Sequence, residues 1–214
     1  MRGRFFASAF AIAASALTAA PARGADREDT SYGRIDGDLS ASFGAGATFG
    51  SRGPRAALDV RLRYLWTAGL FATYEDGPFW GSNAEPRRAL ATGIELRPLF
   101  LARWANGAEL GNGHLDLTLD SFGLELGAVF AEPEGRPFGS RPGLQAGIGL
   151  QVPVLPRATG PVIGVHAGAR WSDAALAGDY VTGAGHRSVY LLVTVAWQQV
   201  FGAHVVDLGD RAPR

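Results

Sequence analysis

The sequence predicts an all-β fold, an antiparallel up-and-down transmembrane β-barrel of about eight strands with a polar, glycine-rich interior. Three observations predict it. Apolar residues alternate with polar or very small ones across most of residues 33–201. The face opposite the apolar one carries glycines and charges of both signs. The alternation also follows a leader of the export type.

The leader comes first along the chain. Arg2 and Arg4 precede an uncharged apolar run, Phe5 to Leu17, and then the small-residue stretch Thr18 to Ala25, in which Ala22 and Gly24 fit a signal peptidase site. The run is about 13 residues, short of the roughly 20 that a membrane-spanning helix needs. The division expected is a signal peptide at 1–24, an N-terminal segment at 25–32, the barrel at 33–201 and a C-terminal tail at 202–214. An exported barrel of this kind belongs in the bacterial outer membrane, with membrane lipid and the barrel-insertion machinery as its partners.

Composition narrows the class. Net charge is zero, so there is no basic excess to suggest nucleic acid as a partner, and cysteine is absent, which removes disulfides and thiolate metal sites. All the basic residues are Arg; 30 residues are Gly, and only 19% are charged. After the leader no apolar run approaches the length of a spanning helix.

The strands follow from a period of two, because successive side chains on a strand point to opposite faces. Between Gly33 and Gly50, Ile35, Leu39, Ala41, Phe43, Ala45, Ala47 and Phe49 oppose Arg34, Asp36, Asp38, Ser40, Ser42, Gly44, Gly46 and Thr48. From Leu58 to Tyr74 one face reads Leu58, Val60, Leu62, Tyr64, Trp66, Ala68, Leu70, Ala72 and Tyr74, opposite Asp59, Arg61, Arg63, Thr67, Gly69, Thr73 and Glu75, with Leu65 and Phe71 interrupting. This reads as one strand of roughly seventeen residues, long even for a tilted crossing. Further strands are expected around Leu90–Phe100, Phe122–Phe130, Leu144–Val154, Ile163–Trp171 and Val189–Phe201.

That makes seven strands, and an even number is usual, so an eighth is expected but not located. Between Arg103 and Ser121 the parity slips: Leu115, Leu117 and Leu119 are odd, whereas Phe122 onward is even. Asn106-Gly107 and Gly111-Asn112-Gly113 are turn signals, so residues 102–120 are expected to form an excursion outside the wall, with a bulge near Ser121 as the alternative.

Inside-out polarity separates a membrane barrel from a soluble exported barrel that binds an apolar ligand in an apolar interior. Glycines such as Gly93, Gly127, Gly147, Gly149, Gly164 and Gly168 suit a narrow lumen. Arg34, Asp36, Asp38, Asp59, Arg61, Arg63, Glu95, Arg97, Glu125, His166 and Arg170 are expected to form an interior charge network, because buried charges must be paired. Tyr64, Trp66, Tyr74, Trp104, Trp171, Trp197 and Phe201 are expected as interface aromatics. A small pore is disfavoured, since eight strands leave no wide lumen.

The alternation over residues 33–201 resembles that of small eight-stranded outer-membrane proteins of the OmpA/OmpX type. Val189 to Phe201, ending on an aromatic, is similar to the terminal strand of such barrels, although this chain continues past it to Arg214. A closed, charge-filled interior points to a structural or interaction role with the longer loops as working surface, among them the aromatic pair Phe79-Trp80.

Chemistry is sparse. His114, His166, His186 and His204 lack metal-ligand spacing, so neither a metal nor a cofactor is expected. His186-Arg187-Ser188 resembles the His-x-Ser pair of outer-membrane lipid A deacylases, in which His would activate Ser, but the Asn-rich context that follows in that family is missing. Asp116 and Asp120 make a weak carboxylate pairing, with no partner that would assign acid and base. The chain is therefore expected not to be an enzyme.

Overall fold

The computed structural model describes residues 32–50, 53–77, 88–132, 139, 141–177 and 187–203. Strands β1 (Leu39–Gly50), β2 (Arg55–Tyr64), β3 (Ala68–Asp76) and β4 (Arg88–Leu96) run up and down in sequence order. Helices α1 (Pro98–Ala105) and α2 (Gly113–Asp120) follow, then β5 (Gly123–Glu132), β6 (Gly143–Pro153) and β7 (Gly160–Trp171). A one-turn helix, α3 (Asp173–Leu176), precedes β8 (Arg187–Phe201). Each strand pairs antiparallel with the next, and β8 returns to β1 along its length, from Leu39↔Phe201 to Gly50↔Tyr190. All eight strands form one closed barrel with no free edge.

The eighth strand lies inside the stretch read as one. Residues 58–74 form two strands, β2 and β3, joined by the tight turn Leu65-Trp66-Thr67. Leu65 and Trp66 have φ of 44° and 59°, and the pairing Tyr64↔Ala68 joins even to even. A turn with this register leaves parity unchanged, so alternation runs through it without a break. It also holds none of the Gly, Asn or Pro residues that usually mark a hairpin.

Positive φ costs a bulky residue about 1–2 kcal/mol, and the surroundings hold the turn in place. The Leu65 N–H donates to the Asp38 carbonyl (2.8 Å), the Thr67 N–H to the Tyr64 carbonyl (3.0 Å), and the Arg97 N–H to the Thr67 carbonyl (2.6 Å).

The slipped region is outside the wall, and it is helical. Pro98 stands in the first turn of α1, where its missing N–H costs nothing. The Asn112 side chain caps α2 by accepting from the His114 and Leu115 N–H groups. The alternating Leu115, Leu117 and Leu119 that mimicked a strand therefore lie on a helix, and of the three only Leu117 is buried. The bulge alternative is not realised.

The first stretch also becomes strand only at Leu39; residues 32–36 form turns.

The barrel is inside-out, with large apolar side chains outward on every strand: Phe49, Leu62, Leu70, Ile94, Leu126, Ile148, Val165 and Val195 are all exposed. Arginines, carboxylates and glutamines are buried within. This is the polarity of a transmembrane barrel, and it overturns the alternative of a soluble barrel with an apolar interior.

Candidate functional site: a charged lumen closed by a helical plug

Three tiers of paired charge fill the lumen. At the end away from the chain termini, Arg170 donates through both terminal nitrogens to Glu75 (2.9 and 2.7 Å) and through Nε to Gln145 (2.7 Å). Its guanidinium lies 4.3 Å from the centre of the Tyr190 ring, and Thr48 also donates to Glu75 (3.0 Å).

In the middle, Arg61 donates to Asp59 through Nε (2.7 Å) and Nη2 (3.2 Å). Its Nη1 reaches both Glu95 (3.1 Å) and Glu125 (2.5 Å). Glu95 and Glu125 face each other directly across β4 and β5, a like-charged pair that repels unless a cation bridges it. Arg61 is that bridge. His166 Nδ1 is hydrogen-bonded to Glu125 (2.7 Å), and the Thr73 hydroxyl donates to Asp59 (2.7 Å).

Nearest the termini, Arg63 and Arg97 each donate through Nε to Glu95 (3.1 and 2.8 Å). Arg63 Nη1 also reaches Gln198 (3.3 Å), and Arg97 Nη2 reaches Gln151 (2.7 Å). Three guanidinium groups thus converge on the single carboxylate of Glu95. Taking charges out of water costs several kcal/mol each, by order of magnitude about 3–5 when one partner of such a pair is lost.

Glycines on β6 make room for these side chains. A β-carbon on Gly149 would meet His166 Nδ1 at 2.2 Å and Glu125 Oε1 at 2.9 Å; one on Gly147 would meet the Tyr190 hydroxyl at 2.6 Å. Arg63 Nη2, Arg97 Nη1, His166 Nε2 and the Tyr190 hydroxyl are buried without a protein partner, positions where internal water would be held.

Helices α1 and α2 close the terminus end. Trp66, Phe100, Leu117, Ala158 and Val200 cluster there, with Tyr32 packed against them. Arg34 pairs with Asp120 and, at 3.4 Å, with Glu109. Arg103 pairs with Asp116 and donates to Asp120 at 2.7 Å. Asp116 also accepts from the Tyr32 hydroxyl (3.2 Å) and from the Leu110 (2.8 Å) and Asn112 (3.2 Å) N–H groups.

Burial pushes the Asp116 carboxyl up, but the Leu110 N–H, Arg103 and Tyr32 outweigh it and hold it below the ordinary aspartate value of 3.8. The Tyr32 phenol is raised, first by burial and then by its bond to Asp116. Between the plug and the lowest tier lies a cavity of about 10 Å³, bordered by Trp66, Ser121, Gln151 and Gln198. That is room for about one water molecule.

The structure sorts the expected residues. Asp59, Arg61, Arg63, Glu95, Arg97, Glu125, His166 and Arg170 meet inside the lumen. Arg34 is buried too, but it belongs to the plug. Asp36 is exposed in the turn before β1, so it is not part of the network. Asp38 sits half-buried at the rim and accepts from the Ala203 N–H (2.6 Å). Both precede the strand and follow the turn instead of its alternation.

Trp66 is not an interface aromatic. It is 3% exposed at the turn, with the Arg97 guanidinium 5.0 Å from its ring centre. Trp104 is exposed, but on α1 and not on a strand. Tyr64, Trp197 and Phe201 lie outward toward the terminus end, Tyr74 and Trp171 toward the other.

Sequence reasoning placed Glu75 on the polar face with Asp59 and Thr73 but did not count it in the charge network. It also missed Arg103 as the partner of Asp116 and Asp120, because that pairing joins two helices. Ser188 is half-buried on β8 opposite Arg170. Its sequence neighbour His186 and the Phe79-Trp80 pair lie outside the described residues, as do residues 1–31 and 204–214.

No protein-family model and no curated protein matches the chain. Solved structures similar in shape include Ail, the attachment invasion locus protein of Yersinia pestis, in complex with the heparin analogue sucrose octasulfate. It has 14% identity and a TM-score of 0.40 over 75% of this chain and 97% of that one. CarO2 of Acinetobacter baumannii has 14% identity and a TM-score of 0.43 over 74% and 98%. Both are small eight-stranded outer-membrane barrels. At this level of likeness neither says what this chain does, and the barrel assignment rests on the strand pairing described above.

Proposed function

We propose that the protein is a bacterial outer-membrane barrel with a structural or interaction role, closed to solute flow and without catalytic chemistry, whose working surface is the set of loops opposite the termini. The observation that carries this reading is the polarity of the wall combined with the filling of the lumen. An apolar exterior calls for lipid, while three tiers of paired charge and a helical plug leave no continuous passage. The Glu125–His166 pair has no route to a substrate, because it is enclosed among Arg61, Glu95 and the β6 glycines.

Two measurements test it together. Fractionated membranes should retain the protein, and unboiled samples should migrate differently from boiled ones in SDS gels. Purified protein in planar bilayers should give no discrete conductance steps. Recovery in the soluble periplasmic fraction without a heat shift would overturn the membrane reading. Regular conductance steps would overturn the closed lumen.

A further inference from the structure

The outer surface of the plug has a composition that the barrel alone does not explain. Every Asp, Glu and Arg between residues 98 and 120 is buried or half-buried, with Arg103, Glu109, Asp116 and Asp120 engaged in the pairs under the barrel mouth. The large side chains that the helices and their connection expose are mainly apolar, Leu99, Leu101, Trp104, Leu110, Leu115 and Leu119, and the exposed polar ones, Asn106, Asn112 and His114, carry no carboxylate or guanidinium charge. Trp104 is 52% exposed and Leu110 62%. A surface facing water would carry the charges outside; here they point in and the leucines point out.

The height of this surface is set by the strands. β4 has nine residues; at about 3.3 Å per residue and a tilt of about 40° it rises roughly 23 Å, close to the full apolar band of such a barrel. Its last residue, Leu96, is exposed outward, and α1 begins two residues later. α2 ends three residues before β5, whose outward Leu124 is likewise exposed. Both helices therefore leave the wall at the edge of the lipid-facing band, and their exposed leucines continue it.

We propose that α1, α2 and their connection form a membrane foot, lying in the lipid interface on the terminus side of the barrel with Trp104 and the flanking leucines immersed at headgroup and upper acyl depth. Amphipathic helices in this position bury their apolar side by about 5–10 Å, and an indole suits that layer because it is apolar with one polar N–H. The foot ties the plug to the bilayer, so lipid would help to keep the lumen shut. The proposal rests on the membrane-barrel reading above.

The test uses the full-length protein reconstituted into phosphatidylcholine vesicles containing lipid brominated either near the headgroup or deep in the acyl chain. The difference in emission between the wild type and Trp104→Phe isolates Trp104. Loss of that emission is expected with the shallow bromolipid, less with the deep one, and little with aqueous iodide. Quenching by iodide and not by bromolipid would overturn the foot and leave the plug facing water.

Protection from both quenchers, together with a dimeric mass in detergent, would also overturn it, since a second copy would then cover the leucines. A Leu101→Glu, Leu115→Glu variant gives an independent reading: it should keep the heat shift of the barrel while its Trp104 becomes accessible to iodide. Failure of the membrane reading itself looks different, since the wild type would then neither float with vesicles nor show a heat shift.

Discussion

Two parts of the inner wall are built on different plans. β2 sends Asp59, Arg61 and Arg63 into the lumen one after another, whereas β6 and β7 space Gln145, Gln151, His166 and Arg170 with Gly147, Gly149, Gly164 and Gly168. The difference shows how a narrow barrel holds large ionic groups at near-crystalline packing density. The arginine and glutamate side chains need volume, and the glycines provide it without adding a polar group that must be satisfied. The glycines are therefore as much a part of the charge network as the carboxylates, although they form none of its hydrogen bonds.

The largest effect should come from removing the carboxylate that three arginines share. Glu95→Ala leaves Arg61, Arg63 and Arg97 facing one another without their common partner. A loss of about 3–5 kcal/mol is expected, read as a marked fall in the temperature at which the heat-modified band appears. An unchanged transition would mean that the tiers are water-screened and contribute little.

Filling one of the glycine positions should come next. Gly149→Leu drives a side chain into His166 and Glu125, with an expected cost of about 1–3 kcal/mol from overpacking. Gly107→Leu is its control, since no atom lies within 4 Å of a β-carbon there. That change should move the transition much less, limited to the strain of its φ of 58°.

The plug should respond separately from the wall. Asp120→Ala strips a partner from both Arg34 and Arg103, and loosening should appear as faster amide exchange in residues 98–120 while the strands stay protected. Equal acceleration in both regions would show that plug and wall unfold as one unit.

Asp116 supplies the smallest and most specific effect. Its carboxyl is held below 3.8, so its contribution is complete above the ordinary aspartate value and is lost as pH falls through the depressed one. The plug should stay ordered at pH 5 and loosen only in strong acid. Asp116→Asn should flatten that acid response, measured by amide exchange across the same segment.

Much of this wall was legible in the residues because a barrel strand has a strict period of two and each face has one environment. The parity of Asp59, Arg61 and Arg63 placed them inward, and that of Glu95 and Glu125 followed. Parity says nothing about which strand a carboxylate will face, so the sharing of Arg61 between Glu95 and Glu125 needed the register of β4 against β5. It also misleads where the chain is not a strand. Asp36 alternates correctly but lies in a turn, and Leu115, Leu117 and Leu119 alternate along a helix.

The sequence by itself determined the inside-out polarity, the glycine lumen and the excursion at residues 102–120, since each depends on local composition and period. Only the tertiary structure decided where the eighth strand lies and the register in which the barrel closes. The turn at Leu65-Trp66 carries no turn residue and preserves parity. It exists because Trp66 packs against Phe100, Leu117 and Val200, while backbone bonds to Asp38 and Arg97 hold it. Those partners come from distant parts of the chain and meet only when the barrel closes.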